Sequence, residues 1–310
     1  SGGTEGDNAA ILGAVRRLGG VAVCPAAEHH AVLHCVEHVG GVVVRVDNVG
    51  SVDLLDLQRV LEEATEDKPI TVVSVMAVNN EVGTITPMRD VARIVRKYAP
   101  NAILHTDAVQ AACWIDMREI TPLVDVLTLS SHKFGGPKGV GVMVLKTGKH
   151  LEPLILGGGQ ERDRRSGTHN VAGIIATAKA LEVTDSTRVS ECERVSVMRD
   201  RLVDEIRAAL DGVLETVPRQ HRVPGAAHLC FSGVENEALL FLLDQVDVCA
   251  SAASACASGA MEPSHVLEAM GIERSWSNGA LRLSLGHTTT NADIDKAVSA
   301  IVSAVNQLRR

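Results

Sequence analysis

Lys133 lies within "LTLSSHKFGGPKGVG" (127–141), directly after an apolar run that breaks off in Ser-Ser-His. A lysine at the end of a buried strand gives up part of its hydration, which suits an amine that must condense with a carbonyl carbon as a Schiff base. A surface lysine in a turn would carry the same local sequence. A second apolar run, "AILHTDA" (102–108), brings Asp107 to its end. If the two runs are parallel neighbours in one sheet, amine and carboxylate share its carboxyl edge. That is the pair pyridoxal phosphate requires, an imine-forming lysine and an anion that keeps the pyridine nitrogen protonated. Taken alone, Asp107 reads equally as a helix N-cap or a salt-bridge partner.

The remaining candidates follow from what such a cofactor needs. The opening "SGGTEGDNAAILGAV" offers small residues and Thr4 ahead of a helix whose N-terminal amides would face a phosphate, and Ser130 and His132 add donors. An ordinary capped helix gives the same pattern. In "EHHAVLHCVEHV", His29 falls on one helical side with Val32, Val36 and Val39, the inward candidate for a ring over the cofactor. His30, His34 and His38 form a separate stripe, but no cysteine or carboxylate set closes a coordination shell around it, so a solvated face and no metal are expected. Asn79 and Asn80 end another apolar run, as donors to a phenolic oxygen or a substrate carboxylate, or as a simple polar turn. Arg282 in "ALRLSLG" offers a guanidinium to clamp a carboxylate, or a surface salt bridge. Cys256 sits in "ASAASACASGA", read as a mobile loop that gives a thiol access; the other six cysteines read as packing.

The elements that would position these residues are legible as periodicity. Apolar runs at 21–24, 42–47, 70–78, 102–108 and 124–131 alternate with helical patterns at 53–64 and 88–98. The alternation predicts an α/β fold with a mostly parallel sheet covered on both faces, ligands lying beyond the strands' carboxyl ends. After about residue 185 come a charged helix at 189–210, a strand at 228–233, a helix, the small-residue loop, a strand at 280–286 and a final helix. This α+β texture sets a large domain, 1–185, against a smaller one, 186–310, that carries the loop at about 249–263.

Composition narrows the function. The 310 residues are 45% hydrophobic without any apolar run long enough to span a membrane, so no membrane role is expected. A net charge of -8 gives no basic surface for a phosphate backbone, which argues against direct nucleic-acid binding. Seven cysteines, an odd number without a CxxC pair, indicate a reducing, cytoplasmic setting. With one tyrosine, two tryptophans and three phenylalanines, histidine must supply most flat rings.

The ordered series "SGGTEGDN", "EHHAVL", "VNNEVGTITP", "HTDAVQ", "SSHKFGGPKGVGVMVL", "GGGQERDRRSGTHN", "SACASGAMEPSHVL" and "LRLSLGHTTT" runs nearly the whole chain. It resembles the class I, NifS/IscS-like cysteine desulfurases. The resemblance implies the aspartate-aminotransferase fold type I of pyridoxal 5'-phosphate enzymes and conversion of L-cysteine to L-alanine, the sulfur leaving as an enzyme persulfide. It makes Lys133 the cofactor-bearing lysine and acid/base, Asp107 the ring-nitrogen partner, His29 the stacked ring and Gln110 the donor to the phenolic oxygen. Thr4, Ser130 and His132 would hold the phosphate, joined across a homodimer by Thr168 of "RSGT". Asn80 and Arg282 match the substrate-carboxylate binders, and Cys256 the persulfide-forming cysteine. Sulfur would pass to an acceptor such as an iron-sulfur scaffold or a tRNA-thiolation protein. The family also carries an N-terminal segment with a "YLDNAATTP"-like motif, to which nothing in these residues corresponds. A selenocysteine lyase, or a non-catalytic scaffold of the same fold, are the rival readings.

Overall fold

Short runs rich in valine, isoleucine and leucine form the strands of the first unit. These are β1 (Val21–Pro25), β2 (Val42–Val44), β3 (Ile70–Ser74), β4 (Ile103–Asp107), β5 (Val126–Ser130) and β6 (Gly141–Leu145). Among the described residues, 1–252 and 264–310 of the computed structural model, they make one six-stranded sheet in the order β2-β1-β3-β4-β5-β6. Every neighbouring pair is parallel except β5 and β6, which are antiparallel. Chain direction can reverse there because a short connection with one 3-10 turn (Ser131–Phe134), not a crossover helix, separates the two strands.

Strand periodicity explains why both faces are covered. Ala22, Cys24, Val72, Ile103 and Val126 point to one side, into a cluster with Ile11, Ala14, Val32 and Val36 from α1 (Gly3–Leu18) and α2 (His30–His38). Their alternates Val23, Val73, Leu104 and Leu127 point the other way and are equally buried. The remaining helices of this unit are α3 (Leu54–Glu62), α4 (Met88–Tyr98), the short α5 (Met117–Ile120) and α6 (Gln160–Asp163), and the start of α7 (Val171–Ala209). α7 begins well before the expected residue 189, because 171–188 is apolar enough to hide the helical charge pattern of its second half.

By backbone contacts the first unit comprises Ser1–Val46, Ser51–Asn79 and Thr86–Arg188, and the second Asp47–Gly50, Asn80–Ile85 and Val189–Arg310. A contiguous division at 185/186 does not contain the two short inserts. Among the described residues, the second unit holds an antiparallel sheet of β7 (Val213–Glu215), β8 (Ala226–Phe231) and β9 (Ala280–Ser284). Its helices are the rest of α7, α8 (Asn236–Asp244), α9 (His265–Ala269), α10 (Arg274–Ser277) and α11 (Asn291–Leu308). Leu229, Phe231, Leu239, Ile294, Ile301 and Val305 are buried in it, and α11 starts with a capping box between Thr290 and Asp293.

Candidate active site

Strand order fixes where ligands can enter. From β1 the chain moves outward to β2 and then returns to β3 on β1's other side, so the order reverses between β1 and β3 and leaves a crevice at their carboxyl ends. The residues after β1, β3, β4 and β5 include most of those singled out in the sequence.

Asp107 closes β4, and its pairing with Thr128 of β5 places the Asp107 end beside the Ser130–Lys133 segment. Its Oδ1 accepts the Val109 N–H at 2.8 Å, while among the described residues nothing donates to Oδ2. Burial raises its pKa from 3.8 to about 6, against the Val109 hydrogen bond and the nearby Lys133 charge, which both pull it down. Lysine and aspartate are thus within electrostatic reach, as parallel strands require.

Lys133 itself departs from expectation. It lies exposed in the 3-10 turn Ser131–Phe134, not dehydrated at the strand's last pleat, because Ser131 and Phe134 take the buried positions of that turn. Gly135, at φ +83°, ends the turn in a conformation that favours glycine. The Cys113 thiol donates to the Lys133 carbonyl at 3.3 Å.

Around Ser130 the structure brings together groups with the chemistry to hold an anion. Ser130 Oγ and His132 Nδ1 are hydrogen-bonded at 3.0 Å. Burial, then the Lys133 and Lys138 charges, hold the His132 imidazole below its ordinary value, so it is neutral near pH 7. α1 starts alongside: a Cβ on Gly2 would lie 3.9 Å from Ser130 Oγ, and one on Gly141 would sit 2.6 Å from the Gly2 carbonyl oxygen. Gly2 caps α1 without a side-chain hydrogen bond, leaving the first-turn amides free for an anion beside exposed Thr4. Glu5 faces away from that role, gripped by Arg165, which depresses its pKa to about 2. With the open Oδ2 of Asp107, the set fits a ligand that has an anionic group at one end and a protonated ring nitrogen at the other.

His29 is not on the inward helical face. It is the N-cap of α2, its Nδ1 accepting the Ala31 N–H at 3.0 Å, so the neutral ring carries its proton on Nε2. The extended backbone at Glu28 and His29, not a helical turn, sets its direction. His30 and His34 stack with ring centroids 4.6 Å apart. Asn79 is likewise committed to the fold, its Nδ2 donating to the Ala27 carbonyl at 2.9 Å. Gln110 is half-buried in the turn after β4 and makes no hydrogen bond within the described residues. Thr168 is exposed, and His169, unexplained from sequence, pairs with Glu161 at 3.2 Å.

In the second unit, Arg282 Nη1 donates to the Asn80 carbonyl at 3.1 Å, so these two residues do come together. The Asn80 Oδ1 is buried and has no hydrogen-bond partner among the described residues. Arg282 also exchanges backbone hydrogen bonds with Ser251. Cys256 falls in 253–263, outside the described residues. Of the other six cysteines, Cys24, Cys35 and Cys230 are buried as packing residues, but Cys113 and Cys192 are half-buried and Cys249 is exposed. Burial pushes the Cys35 thiol up to about 11 and Cys230 up to about 12.

Sequence reading missed a buried polar layer behind Asp107. His105 is enclosed, with Nδ1 2.8 Å from Ser74 Oγ, Nε2 3.0 Å from Thr128 Oγ1, and Asp7 Oδ1 3.6 Å away. Burial lowers the His105 pKa to about 3 and raises Asp7 and Glu28 well above the usual carboxylate range. Polar residues inside valine-rich strands were the available signal.

Comparison with known proteins agrees with this geometry. Residues 1–297 match the aminotransferase class-V family model. The chain is 38% identical to the cysteine desulfurase IscS of Dictyoglomus turgidum over 317 residues, covering 100% of this chain and 79% of that protein. It is also 38% identical to the IscS-like cysteine desulfurase of Mycobacterium tuberculosis, over 100% of this chain and 81% of the relative. A solved NifS-like protein superposes with a TM-score of 0.88 at 32% identity, covering 99% of this chain and 81% of the other. Asp107 at the end of β4, Lys133 in the turn after β5 and these matches across the whole of this chain agree: the chain belongs to the aminotransferase class-V family, in its cysteine desulfurase branch.

Proposed function

We propose that this chain is a pyridoxal-phosphate-dependent cysteine desulfurase whose first unit holds the cofactor and whose second carries the sulfur-accepting loop. The observation that supports it is the nearness of Lys133, in the turn that follows β5, to Asp107 at the end of β4, the parallel neighbour of β5. Bound pyridoxal 5'-phosphate supplies a carbonyl carbon for amine condensation and a ring that withdraws electrons from the substrate's Cα. Thr4, Ser130, His132 and the α1 amides would bind its phosphate, Asp107 would hold a proton on its ring nitrogen, Gln110 would reach its phenolic oxygen, and His29 would lie against its ring. Lys133 would bear the cofactor and take the Cα proton of L-cysteine. Asn80 and Arg282 hold the substrate carboxylate. The Cys256 thiolate attacks the substrate sulfur; the carbon–sulfur bond breaks, a persulfide forms on Cys256, and the carbon skeleton leaves as L-alanine.

An apolar surface supports a homodimer that brings Thr168 to the partner's phosphate site. Val171, Ile174 and Ile175 are 61%, 45% and 66% exposed on α7, and Leu156 is 78% exposed. A run of large aliphatic side chains in water marks an interface, and a second copy supplies an equally apolar face. Among the described residues no helix is long and apolar enough to cross a membrane. The free thiols support a reducing, cytoplasmic setting, with an iron-sulfur scaffold or a thiolation protein as sulfur acceptor.

The test is spectroscopic and chemical. Wild type with pyridoxal phosphate should be yellow, lose that colour on borohydride treatment with the cofactor fixed to Lys133, and release alanine from L-cysteine. Cys256→Ala should keep the colour and lose persulfide formation. Undiminished cysteine turnover in Cys256→Ala would refute the sulfur-transfer assignment, and retained turnover of L-selenocysteine alone would identify the lyase instead.

A further inference from the structure

Glu28 has no part in the chemistry above, yet it is fully enclosed next to His29. Its Oε1 accepts the Met76 N–H at 2.6 Å, joining the turn after β1 to the segment after β3 across the crevice where strand order reverses. A second tie lies beside it. Asn79 Nδ2 donates to the carbonyl of Ala27, at 2.9 Å. The Met76 carbonyl is itself fixed by Thr86 Oγ1 at 2.6 Å, so Glu28 is anchored to backbone that is held from its far side. Beyond Glu28 the His29 ring is set by its N-cap hydrogen bond to Ala31.

We propose that Glu28 is a positioning residue for His29: a fully enclosed side chain that pins the turn between β1 and α2 to the Met76 N–H and thereby aims the His29 ring. This rests on the reading of His29 as the ring that covers the cofactor. Among the described residues, Asp107 of β4, Asp7 of α1 and Cys24 of β1 face it. Burial raises Glu28 well above the usual carboxylate range despite the Met76 hydrogen bond. A purely space-filling role would be met equally by an apolar side chain of the same length; an acceptor role would not.

The experiment compares Glu28→Gln, which keeps a neutral acceptor, with Glu28→Met, which keeps volume and loses it. In the full chain, Glu28→Met should raise amide exchange at Met76 by roughly tenfold or more, as loss of a buried partner does, whereas Glu28→Gln should stay within about threefold of wild type. With pyridoxal phosphate bound, Glu28→Met should weaken the visible circular-dichroism band and move the imidazole nitrogen shifts of His29, and Glu28→Gln should restore both. Unchanged Met76 exchange in Glu28→Met, or Glu28→Gln behaving like Glu28→Met, overturns the proposal. A wild type that forms no visible band with the cofactor refutes the functional reading instead, while Met76 exchange and the His29 shifts still decide whether Glu28 pins the turn. Should Glu28→Met not fold, the same readouts on Asn79→Ala, which cuts the neighbouring tie, and on Glu28→Gln decide the matter.

Discussion

Arg165 grips Glu5 bidentately through one edge of its guanidinium, Nε to Oε1 at 2.8 Å and Nη2 to Oε2 at 3.3 Å, across 160 positions of sequence. The pair fastens the "RRSGT" segment to the first turn of α1. Because Glu5 drops from 4.5 to about 2, its stabilisation is complete above pH 4.5 and is lost as pH falls toward 2. Both side chains are partly exposed, so Arg165→Ala should cost no more than about 1 kcal/mol at neutral pH. Its acid-unfolding midpoint should rise, as followed by circular dichroism, and an unshifted acid limb would show that the pair does not matter to stability.

Asp107 predicts the opposite sign. Its folded pKa is raised to about 6 from 3.8, so the favourable contribution is complete below pH 3.8 and is lost as pH rises through 6. Asp107→Asn should therefore gain stability over wild type between pH 4 and pH 7, by roughly 2 to 3 kcal/mol in the cofactor-free chain. Denaturant unfolding at the two pH values measures it. The same variant should lose cofactor colour, separating a stability gain from a functional loss.

Gly141 has no room for a side chain, since its Cβ would press on the backbone of Gly2, not on a movable side chain. Gly141→Ala should displace the start of α1 and cost about 1–3 kcal/mol, the usual range for overpacking. Titration with pyridoxal phosphate should show at least about tenfold weaker binding, equal to roughly 1.4 kcal/mol. Unchanged affinity would remove the α1 amides from the phosphate site.

Ile175→Asp places a charge on the most exposed isoleucine of the apolar α7 surface. Sedimentation should report a dimer for wild type and monomers for this variant. Thr168→Ala should leave the dimer intact and weaken cofactor binding, which would tie the phosphate site to the second copy.

Much of the candidate site is legible because valine-rich runs stop at its residues. Asp107, Ser130, His132 and Lys133 are candidates on that ground, and they lie near one another because β4 and β5 are parallel neighbours. Strand order was not legible. Periodicity gives each strand its faces but not its neighbours, so the return of β3 to the far side of β1, and with it the Glu28–Met76 tie, could not be derived. His29 was assigned to a helical face because His29, Val32 and Val36 keep helical spacing, and the N-cap sits one residue outside that register. Asn79 and Asn80 are identical in type, and only packing separates the structural amide from its neighbour.

The inserts 47–50 and 80–85 leave one unit and join the other long before the chain finally crosses at Val189. Val223 and His221 find backbone partners in Gly83 and Ile85, which were synthesised more than a hundred residues earlier. No single cut can therefore release two self-sufficient pieces. The C-terminal half is not a cassette that gene fusion could transplant, and on the ribosome Gly83 and Ile85 must wait for these strand-like partners until the last third of the polypeptide emerges.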